Sequence, residues 1–315
     1  MMRTALINLV ALVGALAVAI AIVPWGEAST MTEEAKDSTL RPVRDASGFV
    51  FAPRDYQRIA STSPVADELL LQLCEPDRIV AFTGYSQREG VRNYRYGGKG
   101  TIELVTDIEQ ILTLDPDLVL AHNLTDPRHV ERLREAGIRV FDFGSIDGLS
   151  SLWNDIETLA TLLGHPGRGA ALAKQLKEDL DAIASDIPRA KRKRGLYATV
   201  VGNRIYGGTA GSSYHDVLSY AGIIDIAASE YERWPNYSVE QLLKLDPPLI
   251  VTGTGIGEQL CALSALGRLR ACEKGRQGIV EIDGKLLSSG GLGIVDAARA
   301  VRTEVYGPVS VSATP

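Results

Sequence analysis

The sequence predicts an α/β fold with two similar lobes, mostly parallel sheets and a long linker helix. Three observations carry this expectation. Residues 107–121 (DIEQILTLDPDLVLA) recur at 238–252 (SVEQLLKLDPPLIVT) with seven of fifteen positions identical, Glu109/Glu240 and Asp115/Asp246 among them. Aliphatic strand-like runs alternate with helix-like stretches on both sides of each copy. Between the halves, residues 149–188 show helical spacing and no strand signal.

The first 28 residues stand apart. Arg3 precedes a largely apolar run from Ala5 to Val23, and Gly26-Glu27-Ala28 offers small residues at a cleavage site. This is the pattern of a secretory signal peptide over 1–28. The apolar run has 19 residues, enough to span a bilayer, so an uncleaved membrane anchor, as in a surface sensor, is the alternative reading. Residues 29–49 read as a flexible segment, and 50–148 as the first lobe. There Arg58–Ala60 and Arg78–Phe82 are strands around a helix from Val65 to Leu73, followed by a helix over His129–Ala136 and a strand over Ile138–Phe143.

Each repeat copy reads as a helix, an Asp-Pro turn and a strand. Proline cannot continue the helix and disfavours it at the preceding residue. The aliphatics that follow (LVLA, LIVT) suit a strand buried on both faces. The linker over 149–188 carries a helix from Ser150 to Leu163, a Gly164-His165-Pro166-Gly167 break and a second helix reaching Ile187. At 1.5 Å per residue the second helix is roughly 30 Å long, the width of two small domains. A helical connection of this kind is stiff and predicts little hinge closure. The second lobe spans 189–308, with strands at Gly195–Val201 and Ile279–Ile282, a helix over Tyr214–Tyr220 and a closing helix over Gly293–Tyr306.

Composition narrows the function. The net charge is −6, with 45% hydrophobic and 23% charged residues, ordinary for a globular chain. Nucleic acid is not an expected partner, and the basic run Arg189–Arg194 reads as a solvated face. The chain has no GxSxG and no GxxxxGK[ST], and Gly253-Thr254-Gly255-Ile256-Gly257 lacks GxGxxG spacing, so an exported enzyme is the weaker reading. The four histidines have no metal-ligand spacing, and no cofactor or metal site is expected. Cys261 and Cys272 lie close together and read as a disulfide in an exported chain, with two buried thiols as the alternative. Cys74 reads as core.

Several stretches together resemble the periplasmic substrate-binding proteins of ABC importers for iron complexes, haem and cobalamin. They are RIASTSPVADELLLQL with DRIVAFTGYS, DIEQILTLDPDLVLAHN, AGSSYHDVLSYAGI and YERWPNYSVEQLLKLDPPLIV. The last is most similar to periplasmic cobalamin-binding proteins. The resemblance covers about residues 50–308. It implies capture of a metal chelate (cobalamin, haem or a ferric siderophore) between lobes, a monomer, and delivery to a permease dimer in the membrane. It also implies that Glu109 and Glu240 pair with permease arginines.

A cleft of this kind forms at loops following the carboxyl ends of strands and is lined by aromatic area. Tyr85, Tyr206 and Trp234 meet that description and match aromatic cleft positions in the family. Tyr94 and Tyr96, among arginines in RNYRYGGKG, form a second aromatic group suited to a negatively charged ligand. Ser63, Thr209, Ser289 and Gly290 lie at loop-to-helix junctions, where free backbone N–H groups can meet polar ligand edges. His215 is a candidate iron ligand, against a plainer role at a helix start.

Overall fold

The structure is a computed structural model of the chain and describes residues 40–89, 93–103, 107–123, 128–185 and 187–307. The signal expected over 1–28, and the alternative anchor, lie outside the described residues. Everything below belongs to one compact unit that begins at Thr39. Among the described residues no helix is long and apolar enough to cross a membrane.

Short, β-branched and aliphatic runs build the first lobe. A small antiparallel hairpin, β1 (Val43–Arg44) with β2 (Val50–Phe51), precedes it. Then come β3 (Ile59–Ser61), α1 (Pro64–Leu73), β4 (Ile79–Thr83), α2 (Gly84–Glu89) and β5 (Gly100–Ile102). They are followed by α3 (Ile108–Thr113), β6 (Leu118–Ala121), α4 (His129–Glu135) and β7 (Val140–Asp142). The five strands β3 to β7 pair in the order β5-β4-β3-β6-β7, all parallel. The order reverses between β3 and β6, and such a switch point opens a crevice at the strands' carboxyl ends. β6 and β7 are buried throughout, as strands covered on both faces must be.

Residues 43–49 depart from the flexible segment expected over 29–49. The Asp45 carboxylate accepts the Phe49 N–H at 2.9 Å and pairs with Arg134. The Phe51 ring meets Phe141 edge-on at 5.0 Å. These contacts hold the hairpin against the sheet.

The linker is a helical pair, α5 (Leu149–Leu162) and α6 (Pro166–Ala184), turned by Gly164 at φ +85°. Gly169 lets the two helices touch, since a Cβ there would lie 2.5 Å from Ala160 Cβ. α6 ends at Ala184, short of Ile187. Buried His122, just past β6, meets Asp155 of α5 at 3.2 Å and stacks on Phe143, which fastens the first sheet to the linker.

The second lobe runs through β8 (Lys193–Val201), β9 (Arg204–Gly208), α7 (Ser213–Tyr220), β10 (Ile223–Asp225), β11 (Asn236–Tyr237), α8 (Val239–Leu245) and β12 (Ile250–Gly253). It finishes with α9 (Ile256–Ala262), α10 (Glu273–Arg276), β13 (Ile279–Ile282), α11 (Gly284–Leu287) and α12 (Ile294–Tyr306). β8, β12 and β13 are parallel, but β9 pairs antiparallel with both β8 and β11. The antiparallel edge follows from the two residues between β8 and β9, Gly202-Asn203, with Gly202 at φ +62°. A two-residue loop of that type closes a hairpin and forbids a crossover. α6 touches α1 on one side and α7 and α12 on the other, so it spans both lobes.

The two repeat copies adopt one local form. The side chains of Asp107 and Ser238 cap α3 and α8 by accepting the N–H of Gln110 at 3.0 Å and of Gln241 at 3.2 Å. Asp115 and Asp246 both take the left-handed conformation, φ +45° and +40°, before the turn proline. Arg58 and Arg270 each donate Nε to that aspartate's carbonyl, at 2.7 and 3.1 Å. The expected disulfide is present between Cys261 and Cys272, with Cα atoms 5.7 Å apart, and Cys74 is buried and free.

Candidate functional site

The crevice lies where β3 and β4 of the first lobe face the second lobe. Ser63 caps α1 and Pro64 opens it, which places Pro64 and Val65 at the rim. Tyr85 follows β4 in the first turn of α2. Its ring is 42% exposed and its hydroxyl bonds Ser288 Oγ, in the second lobe, at 2.7 Å. Opposite stands an aromatic stack. Tyr197 of β8 lies parallel to Tyr214 at 3.8 Å, and Trp234 meets Tyr214 edge-on at 5.4 Å and 89°. Gly208 makes room for the stack, since a Cβ there would lie 2.4 Å from the Tyr214 ring.

Trp234 is 49% exposed, so it stands ready for a partner and adds little to the core. Its neighbour Arg233 holds a positive φ of 56°, unusual for a residue with a side chain. Two backbone hydrogen bonds fix it there, to Ala210 O at 2.7 Å and from Thr209 N at 2.9 Å. Its guanidinium also pairs with Asp147, just before the linker. Together these groups bound a cavity of about 220 Å³ whose lining includes Pro64, Val65, Tyr85, Ile146, Tyr214 and Trp234. It is an apolar, aromatic surface with a few hydroxyls, suited to a large flat ligand. Burial, with Tyr197 adding to it, raises the Tyr214 hydroxyl above the ordinary range, so it stays protonated as a donor. Among the described residues no three His, Cys, Asp or Glu side chains gather as a metal site.

The sequence-derived residues divide into three groups. Tyr85, Trp234 and Gly290 line this cavity. Tyr96 and Ser289 line an adjoining chamber, and the side chain of Tyr94 lies outside the described ones. Tyr206, Ser63 and Thr209 line neither. Tyr206 is a strand residue, not a loop residue: it lies in β9, paired with Thr199 and Asn236. Ser63 is fully buried because its hydroxyl turns inward to cap α1. Thr209 is fully buried and donates to Asp225 at 2.7 Å. His215 is engaged with the same aspartate through Nδ1 at 2.8 Å, a hydrogen bond that raises its pKa. Sequence reasoning missed Tyr214 as a cleft residue. Its position in AGSSYHD, at a helix start just past the β9 glycines, was the available signal.

Under the first-lobe rim lies a buried carboxyl. Burial raises Asp67 from its ordinary 3.8 to about 7, against hydrogen bonds from Thr83 and Ser86. The folded chain therefore keeps a proton that the unfolded chain releases near pH 4. The Asp67 contribution to stability declines as pH rises from about 4 to about 7 and levels off above. In Asp67→Asn that decline is expected to flatten, which melting curves between pH 4 and 8 check against the wild type.

Glu109 and Glu240 are exposed on the first turns of α3 and α8. Neither forms an ion pair among the described residues. A hydrogen bond from its own backbone N–H, then one from the Ser238 hydroxyl, lowers the Glu240 pKa, so it is charged at neutral pH.

A family model for periplasmic binding proteins matches residues 59–275, more than half of the chain. The chain belongs to that family. A relative named cobalamin-binding protein, from Halobacterium salinarum, is 28% identical over 214 residues. That match covers 67% of this chain, which spans only 57% of that relative's length. The crystal structure of a periplasmic vitamin B12-binding protein of Vibrio cholerae superposes with a TM-score of 0.61 at 25% identity. It covers 80% of this chain and 97% of that one. A periplasmic haem-binding protein of Pseudomonas aeruginosa gives a TM-score of 0.64 at 23% identity over 79% of this chain and 92% of that one, and shares the fold.

Proposed function

We propose that the protein is an extracytoplasmic substrate-binding protein of an ABC importer. It captures a metal chelate (cobalamin, haem or a ferric siderophore) between its lobes and hands it to a permease dimer. The observation that supports this most is the aromatic cleft: Tyr85 from one lobe faces Tyr214 and Trp234 from the other. A flat chelate gains most of its binding from such area and needs few polar anchors. The function requires no covalent chemistry, and the chain acts as a monomer that reaches its compartment by its N-terminal signal.

Equilibrium dialysis of the chain from Ser29 against cyanocobalamin, haemin and a ferric hydroxamate tests the reading. Retention of one of them at one-to-one stoichiometry is expected, and retention of none contradicts it. Cyanocobalamin comes first, because the relatives aligned over most of the chain carry that ligand's name.

Glu109 and Glu240 serve as the docking points. Two acidic side chains at matching places on two lobes give register on a two-fold partner whose arginines complement them. The double variant Glu109→Lys/Glu240→Lys is expected to bind chelate as the wild type does but to lose copurification with the permease. Unchanged copurification would remove the docking role.

A further inference from the structure

Behind Tyr85 lies a smaller chamber of about 60 Å³, next to the outer cavity of about 220 Å³. Both lobes wall it: Glu68, Leu71, Gln72 and Tyr96 from the first, Lys285 and Ser289 from the second. The two spaces share Pro64, Val65, Tyr85, Ser288 and Gly290. The partition between them is the Tyr85–Ser288 hydrogen bond, the one hydrogen bond of the Tyr85 side chain among the described residues. A half-exposed ring held by a single bond can swing aside at small cost. At roughly 10–15 Å³ per water, the chamber holds a handful of waters. A corrin or porphyrin ring does not fit. A carboxylate or phosphate on a short arm does.

The wall carries two carboxylates, Glu68 and Asp296, and two cations, Lys285 and Arg95, and one of these cations points to an anionic arm. Glu68 is committed, accepting Ser289 Oγ and the Gly293 N–H, each at 2.9 Å. Lys285 and Asp296 have partners of their own. Arg95, half-buried at the same wall, makes no hydrogen bond or ion pair among the described residues. Its neighbour Tyr96 is 3% exposed and packs edge-on against Phe82 at 5.0 Å, which anchors the backbone that carries Arg95. A half-buried guanidinium with no counter-ion is a ready partner for an oxyanion, which it can meet with two parallel hydrogen bonds.

We propose that this chamber is a subsite for an oxyanion-bearing side arm of the ligand, anchored by Arg95 and admitted when Tyr85 leaves Ser288. The inference rests on the proposed function and sharpens its ligand class to chelates with a carboxylate or phosphate arm. Two probe pairs separate the sources of the oxyanion: haemin against its dimethyl ester, and cyanocobalamin against dicyanocobinamide, which lacks the phosphodiester arm. In whichever pair the wild type binds, the armed member is expected to bind about ten- to a hundred-fold more tightly. Arg95→Gln should bring that ratio close to one by weakening the armed member alone, and Arg95→Lys should restore part of it. Tyr85→Phe, which frees the ring from Ser288, should speed association of the armed member. A ratio unchanged by Arg95→Gln, or no discrimination by the wild type, overturns the subsite and leaves the cleft reading standing. A wild type that binds neither parent chelate overturns the subsite, and it contradicts the proposed function as well only where the ferric hydroxamate is not retained either.

Discussion

Trp234→Ala is expected to weaken chelate binding by about 2 kcal/mol, roughly thirty-fold, while the melting temperature barely moves. The two effects separate because the ring is 49% exposed and lines the cleft without filling the core. An indole anchor brings large area at little entropic cost, and this one is already oriented by Tyr214 and by the Arg233 bracket. Trp234→Phe should recover part of the loss, since it restores a smaller ring. Tyr206→Ala is the control: Tyr206 lies in β9 and lines neither cavity, so affinity should stay near wild type. Isothermal titration beside thermal unfolding measures both quantities. An equal loss in Trp234→Ala and Tyr206→Ala would move the ligand away from the aromatic stack.

Opening the Cys261–Cys272 bridge with the double Cys→Ser variant should cost about 3 kcal/mol of stability. The bridge joins residues eleven apart in sequence, and closing a loop of that length removes entropy of this order from the unfolded chain. Position adds to it. The enclosed segment supplies Leu266, Leu269 and Ala271, all fully buried against the second sheet, and it packs on α8, which carries Glu240. Denaturant unfolding of the variant, and of the wild type with and without reductant, checks the magnitude. Equal midpoints with and without reductant would show that packing alone holds this segment.

Most of the architecture was legible because one signal appeared twice. The Gln110 and Gln241 N–H capping contacts, the left-handed Asp115 and Asp246, and the buried strands β6 and β12 all follow from the repeated stretch. The antiparallel edge of the second sheet was legible in principle but was not read. It depends on the Gly202-Asn203 turn, while the aliphatic content of β9 resembles any buried strand. The first hairpin was illegible for another reason: it exists through Arg134 and Phe141, distant in sequence, and Asp45 shows no local sign of that pairing.

The cleft was only partly legible. Tyr85 directly follows a strand, although it opens helix α2 and not a loop, and Trp234 precedes a proline in a stretch without strand or helix period, and these positions gave them away. Ser63 and Thr209 share such a context, but their hydroxyls turn inward to a helix cap and to Asp225, a choice that side-chain direction makes and residue type does not. Tyr214 was hidden on a helix, where an aromatic normally reads as core. It reaches the cleft because Gly208 leaves its ring room.

The central claim is that a metal chelate seats between the lobes against Trp234. Tryptophan fluorescence of the chain from Ser29, which keeps only Trp153 and Trp234, tests it most directly when titrated with the chelate that dialysis retains. The account predicts saturable quenching at one-to-one stoichiometry that disappears in Trp234→Phe, because Trp153 lies on the linker helix α5. Quenching that persists undiminished in Trp234→Phe would place the ligand elsewhere and contradict it.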